Sequence, residues 1–125
     1  MPPILVVADV EPRGRIAHIL REAGYTVAEA DSEASTLATA RSISPQLILM
    51  AIVMSDSNGL EVAARLRQHL NSQSPPIILL GAIMPIGIDE EPLASLVSGY
   101  LDMDVSANEL LVAVQSHIKT NQRLH

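Results

Sequence analysis

Three short runs of aliphatic residues constrain the fold of this 125-residue chain more than any other feature. They cover residues 4–7, 47–50 and 77–80, and each is continuously apolar instead of alternating between apolar and polar residues. Strands have this pattern when both faces of their sheet are covered, as in parallel sheets with helices on either side. The sequence therefore predicts a sheet buried in the middle of the molecule.

Longer amphipathic stretches separate the apolar runs, and their spacing is that of helices that bury one face. Turn and capping residues such as Gly24 mark where these helices begin and end. Alternation of strands and helices indicates a three-layer α/β/α domain with five parallel strands and right-handed crossovers. The sequence predicts five helices, over residues 13–23, after Asp31 or Ser32, from Gly59, over residues 91–97, and from a capping box at 106–109. Two weaker strands are predicted over residues 25–28 and 100–101.

Composition narrows the classes of function. The formal net charge is −6, which leaves no basic face for a phosphate backbone and argues against nucleic-acid binding by this domain. The absence of cysteine excludes disulfides and thiolate metal sites. No apolar run approaches the roughly 20 residues of a membrane span. We expect a cytoplasmic domain over residues 1–120, with residues 121–125 as a tail, the start of a linker or an expression remnant.

Residues at the predicted strand ends carry a family resemblance. Four segments supply it, namely 4–12, 45–51 with Gly59 eight residues on, 76–82 and 100–103. In this order and at these spacings, the chain resembles the receiver domains of bacterial two-component response regulators. The resemblance implies a flavodoxin-like (βα)5 fold, a doubly wound parallel sheet with strand order 2-1-3-4-5. It also implies a role in phosphorelay signal transduction.

The chain departs from the receiver pattern at four functional positions. Receivers carry an acidic pair after the first strand, where this chain has Ala8 and Asp9, and a phosphoacceptor aspartate where it has Ala51. They carry a threonine or serine where it has Gly81, and a lysine where it has Met103. The resemblance thus identifies these five residues as a degenerate acceptor pocket.

The chemistry of these residues predicts that the family's reaction is lost. Ala51 has no oxygen that could attack a phosphoryl donor. Mg²⁺ prefers several oxygen ligands, so Asp9 alone is at most a weak ligand, and a carboxylate bonded to loop amides is the plainer interpretation. We expect no phosphoacceptor, no catalytic residue, no metal site and no cofactor, and hence no enzyme. After Met103 the chain lacks the proline that follows the family's lysine, which predicts a trans Met103–Asp104 bond and a re-routed loop.

Three hypotheses of function follow from the resemblance and its departures. The first is a phosphorylation-independent module that binds a partner protein, an output domain or a second copy. Its surface would join the helix predicted over 91–97, the last strand and the final helix. That interaction face comprises Leu93, Leu96, Tyr100, Asp102, Glu109 and Val112.

The other two hypotheses use the acceptor pocket or a substitute for it. The second is a small-molecule sensor that uses the space left by the small residues of the pocket. The third is a receiver that is phosphorylated on a non-standard aspartate such as Asp56, although aspartate is common in turns for local hydrogen bonding. Tyr100 matches the receivers' switch aromatic, and it is either fixed in one orientation or only an amphipathic edge residue.

Overall fold

The computed structural model describes residues 2–55, 57–70, 75–82 and 96–122. Its five strands form one parallel sheet, in which the second strand along the chain lies at one edge and is followed by the first, third, fourth and fifth. This is the predicted α/β fold with the predicted strand order. The elements are β1 (Ile4–Val7), α1 (Val10–Glu22), β2 (Val27–Ala30), α2 (Glu33–Ile43), β3 (Leu47–Ala51), α3 (Gly59–Leu70), β4 (Ile77–Gly81), β5 (Gly99–Asp102) and α4 (Ala107–Gln122).

The continuously apolar runs form the three central strands, β1, β3 and β4, and every residue of these strands is buried. Alternate residues of each strand enter opposite apolar clusters. Leu5 and Ile48 pack with residues of α2 and α3, whereas Ile4 and Leu47 pack with residues of α1 and α4. Two helical layers thus cover the sheet, which is why these strands have no polar face.

Two element boundaries differ from the sequence prediction, each for a local reason. Helix α1 begins at Val10 instead of residue 13, because Pro12 lies in the first turn, where a backbone N–H is not needed. Strand β2 begins at Val27 instead of residue 25. The N–H groups of Gly24 and Tyr25 bond to carbonyls of the last turn of α1, so this segment closes the helix in a Schellman motif.

The helix predicted over 91–97 falls largely on residues 83–95, which lie outside the described residues. The Ser106 hydroxyl accepts the Glu109 N–H at the start of α4, as a capping residue should. Leu110, Val114 and Ile118 are buried beneath that helix, as its spacing predicts.

Candidate functional site

The parallel sheet brings the predicted pocket positions to one edge, where the carboxyl ends of neighbouring strands meet. Ala8 follows β1, Ala51 ends β3 and Gly81 ends β4. The N–H of Met103, just after β5, donates to the Gly81 carbonyl over 2.9 Å. The structure therefore assembles the pocket residues as neighbours, which the strand order requires.

Methyl groups occupy the positions where the receiver pattern has carboxylates. Ala8 is 0% exposed and Ala51 is 1% exposed, and both belong to the apolar cluster on the α2–α3 side of the sheet. Neither side chain has an oxygen that could accept a phosphoryl group or bind a cation. This part of the site is continuous with the hydrophobic core.

Ile52 and Tyr100 lie over Gly81. A Cβ atom on Gly81 would stand 3.0 Å from Ile52 Cδ1 and 3.3 Å from the Tyr100 hydroxyl oxygen. The two side chains therefore occupy the space beside β4 that a side chain on residue 81 would enter. Sequence reasoning missed Ile52, because one aliphatic residue after an apolar strand carries no distinctive signal.

The Tyr100 hydroxyl is buried and has no hydrogen-bond partner among the described residues. Burial raises the pKa of the phenol above its ordinary value, and the nearby Asp102 carboxylate raises it further. The ring packs against the apolar cluster that contains Ala51. The two predicted roles of Tyr100, a ring fixed in one orientation or an amphipathic edge residue, stay predictions.

The Asp9 side chain accepts a hydrogen bond from a loop amide. Its Oδ1 atom accepts the backbone N–H of Ser55, in the loop after β3, over 3.0 Å. This contact is the kind that the plainer of the two sequence interpretations, a carboxylate bonded to a loop amide, describes. Asp9 is the sole remaining carboxylate of the five pocket positions, so the residues here do not fit the oxygen-rich coordination that Mg²⁺ prefers.

Arg13 lies beside this corner and was not predicted from the sequence. Its guanidinium donates to the Ala8 carbonyl over 3.0 Å and to the Glu29 carboxylate over 3.0 Å. Burial of Glu29 acts to raise its pKa, but hydrogen bonds and charge attraction from Arg13 and Arg21 outweigh it, so the pKa lies below the ordinary value. Asp9, Arg13 and Ser55 line a shallow cleft with Asp31. The cleft is thus of mixed charge.

The loop after β5 forms a tight turn. The side-chain carboxylate of Asp102 accepts the Asp104 N–H over 2.8 Å. The backbone carbonyl of Asp102 accepts the Val105 N–H over 3.0 Å. From α1, the Arg15 guanidinium donates to the carbonyls of Met103 and Val105. Arg15 therefore holds this loop against α1. The predicted trans bond between Met103 and Asp104 stays a prediction.

Gly59 is required by the close return of the chain after β3. Its N–H donates to the Ile52 carbonyl over 2.7 Å. A Cβ at this position would overlap the Ala51 carbonyl oxygen and lie 3.0 Å from the Ile52 Cα. Any other residue would push on the backbone beside the acceptor position.

Members of the predicted interaction face differ in exposure. Val112 is 62% exposed, whereas Leu96 and Tyr100 are partly buried against the core. Asp102 is exposed and engaged in its turn, and Glu109 is exposed at the start of α4. Leu93 lies outside the described residues, as does Asp56, the substitute acceptor considered above. The face itself stays a prediction.

Within the described parts of the chain, no helix is long and apolar enough to cross a membrane.

Comparison with known proteins gives consistent matches. The response regulator receiver domain family model matches residues 4–115. The DNA-binding dual master transcriptional regulator RpaA of Synechocystis is 26% identical over 125 residues, which are 99% of this chain and 52% of that protein. The chain thus spans about half the length of this relative.

Solved structures show the same likeness. Chemotaxis protein CheY4 of Vibrio cholerae superposes with a TM-score of 0.83 at 27% identity, covering 94% of this chain and 98% of the other. The N-terminal domain of a response regulator/sensory box/GGDEF 3-domain protein from Carboxydothermus hydrogenoformans gives a TM-score of 0.80 at 25% identity, covering 98% and 99%.

Proposed function

Because the chain belongs to the response regulator receiver domain family of two-component signalling, we propose that it is a receiver whose interactions do not depend on phosphorylation. The observation that carries the proposal is the methyl group of Ala51, 1% exposed, at the acceptor position. No nucleophilic oxygen is present there, so the covalent step of the family has no atom on which to occur.

The neighbouring residues support the same conclusion. Asp9 is bonded to the Ser55 N–H, Gly81 offers no hydroxyl, and Met103 supplies no cation for a phosphoryl oxygen. Restoring an aspartate at residue 51 would leave the other functional groups absent. If only the acceptor had been replaced, the remaining polar residues of the receiver pattern would still be present.

The proposed activity is protein binding in the cytoplasm, without catalysis, metal or cofactor. The partner is another protein, an output domain or a second copy, bound through β5, α4 and the segment before β5. Val112, a member of this proposed face, has an exposed apolar side chain. The negative net charge of −6 argues against direct contact of this domain with nucleic acid.

A small-molecule site in the vacated pocket has less support. The side chains of Ile52 and Tyr100 lie over Gly81, and Ala8 and Ala51 are buried, so this space is filled by the protein itself. Phosphorylation of another aspartate gains no support from the described residues.

Exposure to a phosphodonor tests the central part of the proposal. The protein is incubated with acetyl phosphate and Mg²⁺, and its intact mass is measured, with a phosphorylatable receiver as a positive control. We expect no added phosphate on the wild type, and none on Ala51→Asp, because the other pocket groups are missing. Phosphate on the wild type would overturn the proposal.

A pair of valine variants tests the proposed face. Val112 is 62% exposed on α4, and Val53 is 80% exposed in the loop after β3, which is not part of the proposed face. If a second copy is the partner, sedimentation should show that Val112→Asp weakens self-association and that Val53→Asp does not. For a partner protein or output domain, binding by the full-length regulator should respond in the same way. Equal effects of the two variants would remove this face from the proposal.

A further inference from the structure

We propose that Asn58 is a deamidation site that reacts only when the loop after β3 opens. The proposal is independent of the proposed function, because it concerns a chemical modification of the main chain and no partner. Asn58 is exposed and is followed by Gly59. A glycine after an asparagine favours this reaction, since no Cβ atom hinders the approach of its nitrogen to the asparagine side chain.

The reaction proceeds through a cyclic imide. The main-chain nitrogen of Gly59 attacks Cγ of Asn58 and forms a bond to it, the Gly59 nitrogen loses its proton, and the side-chain nitrogen leaves as ammonia. Water then adds to one carbonyl of the ring and breaks the bond from that carbonyl to the ring nitrogen. Opening at the side-chain carbonyl gives aspartate. Opening at the main-chain carbonyl gives isoaspartate, which lengthens the main chain by one methylene group.

The attacking nitrogen is restrained in the folded chain. Gly59 is buried, and its N–H donates to the Ile52 carbonyl over 2.7 Å. A Cβ atom at this position would overlap the Ala51 carbonyl oxygen, so the main chain of Gly59 has no room to move toward that side. Attack therefore requires the bond to Ile52 to break and the Gly59 nitrogen to meet water that can take its proton.

The side chain of Asn58 is restrained as well. Its Oδ1 atom accepts the Leu60 N–H over 2.8 Å and the Glu61 N–H over 3.4 Å, so Asn58 caps the start of α3. Closing the imide ring would draw Cγ to the Gly59 nitrogen and strain these two bonds. The same bonds polarise the amide, which favours attack, but attack cannot begin while the Ile52 carbonyl holds the Gly59 N–H.

The contacts that close the loop after β3 define what must open. Val53 and Asn58 pair across the loop as an isolated antiparallel bridge. From the end of β1, the Asp9 carboxylate accepts the Ser55 N–H over 3.0 Å. Loops held by few bonds open at a lower free energy than the whole protein unfolds. Deamidation of Asn58 should therefore follow opening of this loop and not global unfolding.

Peptide mapping by mass spectrometry tests the proposal on the full chain. The protein is incubated in mildly alkaline buffer with and without urea that unfolds it, and conversion of Asn58 is followed by the mass change from amide to acid. Conversion should be at least about tenfold slower in the folded chain, the factor that an opening free energy of about 1.4 kcal/mol gives. Asn108, exposed on α4 and followed by Glu109, is the internal control and should convert slowly in both buffers.

Two variants test whether the opening is local. Asp9→Ala removes the bond to Ser55 and should speed conversion of Asn58 in the folded chain by about fivefold, the typical effect of one hydrogen bond. It should leave the rate in urea unchanged. Arg15→Met is the matched control, because it removes hydrogen bonds to the loop after β5 instead. It should leave the rate at Asn58 unchanged in both buffers.

Three outcomes would overturn the proposal. Equal conversion of Asn58 in the folded and unfolded chain would mean that the folded loop does not restrain the reaction. Faster conversion in the folded chain would mean that polarisation of the amide by the helix cap controls the rate. Equal rates in Asp9→Ala and Arg15→Met would mean that opening of the loop after β3 does not control it.

Discussion

The Asp9 carboxylate accepts a hydrogen bond from the backbone N–H of Ser55 over 3.0 Å, joining the end of β1 to the loop after β3. This contact shows how the one remaining acidic residue of the pocket is used. The carboxylate supports the loop beside Ala51.

The Asp9–Ser55 contact predicts different effects for two substitutions. Asp9→Ala removes the acceptor and should cost about 1 kcal/mol of unfolding free energy. Asp9→Asn keeps an oxygen acceptor and should cost clearly less. Urea unfolding with and without Mg²⁺ measures both. Stabilisation of the wild type by Mg²⁺ that disappears in Asp9→Asn would show instead that Asp9 is a metal ligand.

The Gly59 position predicts a large effect from one methyl group. Gly59→Ala would overlap the Ala51 carbonyl oxygen, so the backbone after β3 must move, at a cost of about 1–3 kcal/mol. Gly14→Ala, in the open face of α1, should be neutral or stabilising by about 0.5–1 kcal/mol. Denaturant midpoints of the two variants give the comparison. Similar midpoints would contradict the close approach at Gly59.

Arg15 predicts a local effect on the loop after β5. Its guanidinium donates to the carbonyls of Met103 and Val105, so Arg15→Met should cost about 1 kcal/mol and speed amide exchange at Val105. Arg15→Lys keeps the charge but cannot reproduce the planar guanidinium, so amide exchange at Val105 should be intermediate between the wild type and Arg15→Met. Unchanged exchange at Val105 in Arg15→Met would argue that the turn at Asp102 holds the loop alone.

The lowered pKa of Glu29 predicts how the free energy of unfolding depends on pH in acid. Burial opposes ionisation of Glu29, but bonds from Arg13 and Arg21 lower its pKa in the folded state. A lowered folded-state pKa stabilises the protein above the unfolded value of about 4.3, and this contribution is lost as pH falls through the folded value. Glu29→Gln should therefore flatten the pH dependence of unfolding free energy below about pH 4.3. If Glu29→Gln left the pH dependence of the unfolding free energy unchanged in acid, the lowered pKa of Glu29 would be contradicted.

Sequence patterning predicted the sheet because its central strands are buried on both faces, which leaves a signal in consecutive residues. It misplaced the starts of α1 and β2, where Pro12 and Tyr25 take part in helix ends. Such boundaries depend on individual backbone hydrogen bonds. Periodicity does not report them.

The identities of the pocket residues were also accessible, since each follows a recognisable strand. The contacts that close and brace the site were not. Ile52 over Gly81 joins residues from different elements, and Arg15 bonds to residues 88 and 90 positions away. Nothing in the local sequence distinguishes these side chains from ordinary surface or core residues.

Titration of the amide NMR spectrum with Mg²⁺ and then beryllofluoride, a phosphoryl mimic, tests the central claim most directly. We predict that the amides of Asp9, Ala51, Gly81 and Tyr100 do not shift at millimolar Mg²⁺ or after beryllofluoride is added. The same additions to a phosphorylatable receiver give the positive control. Saturable shifts that converge on these residues would contradict the claim, because the site would then still bind a metal or a phosphoryl group.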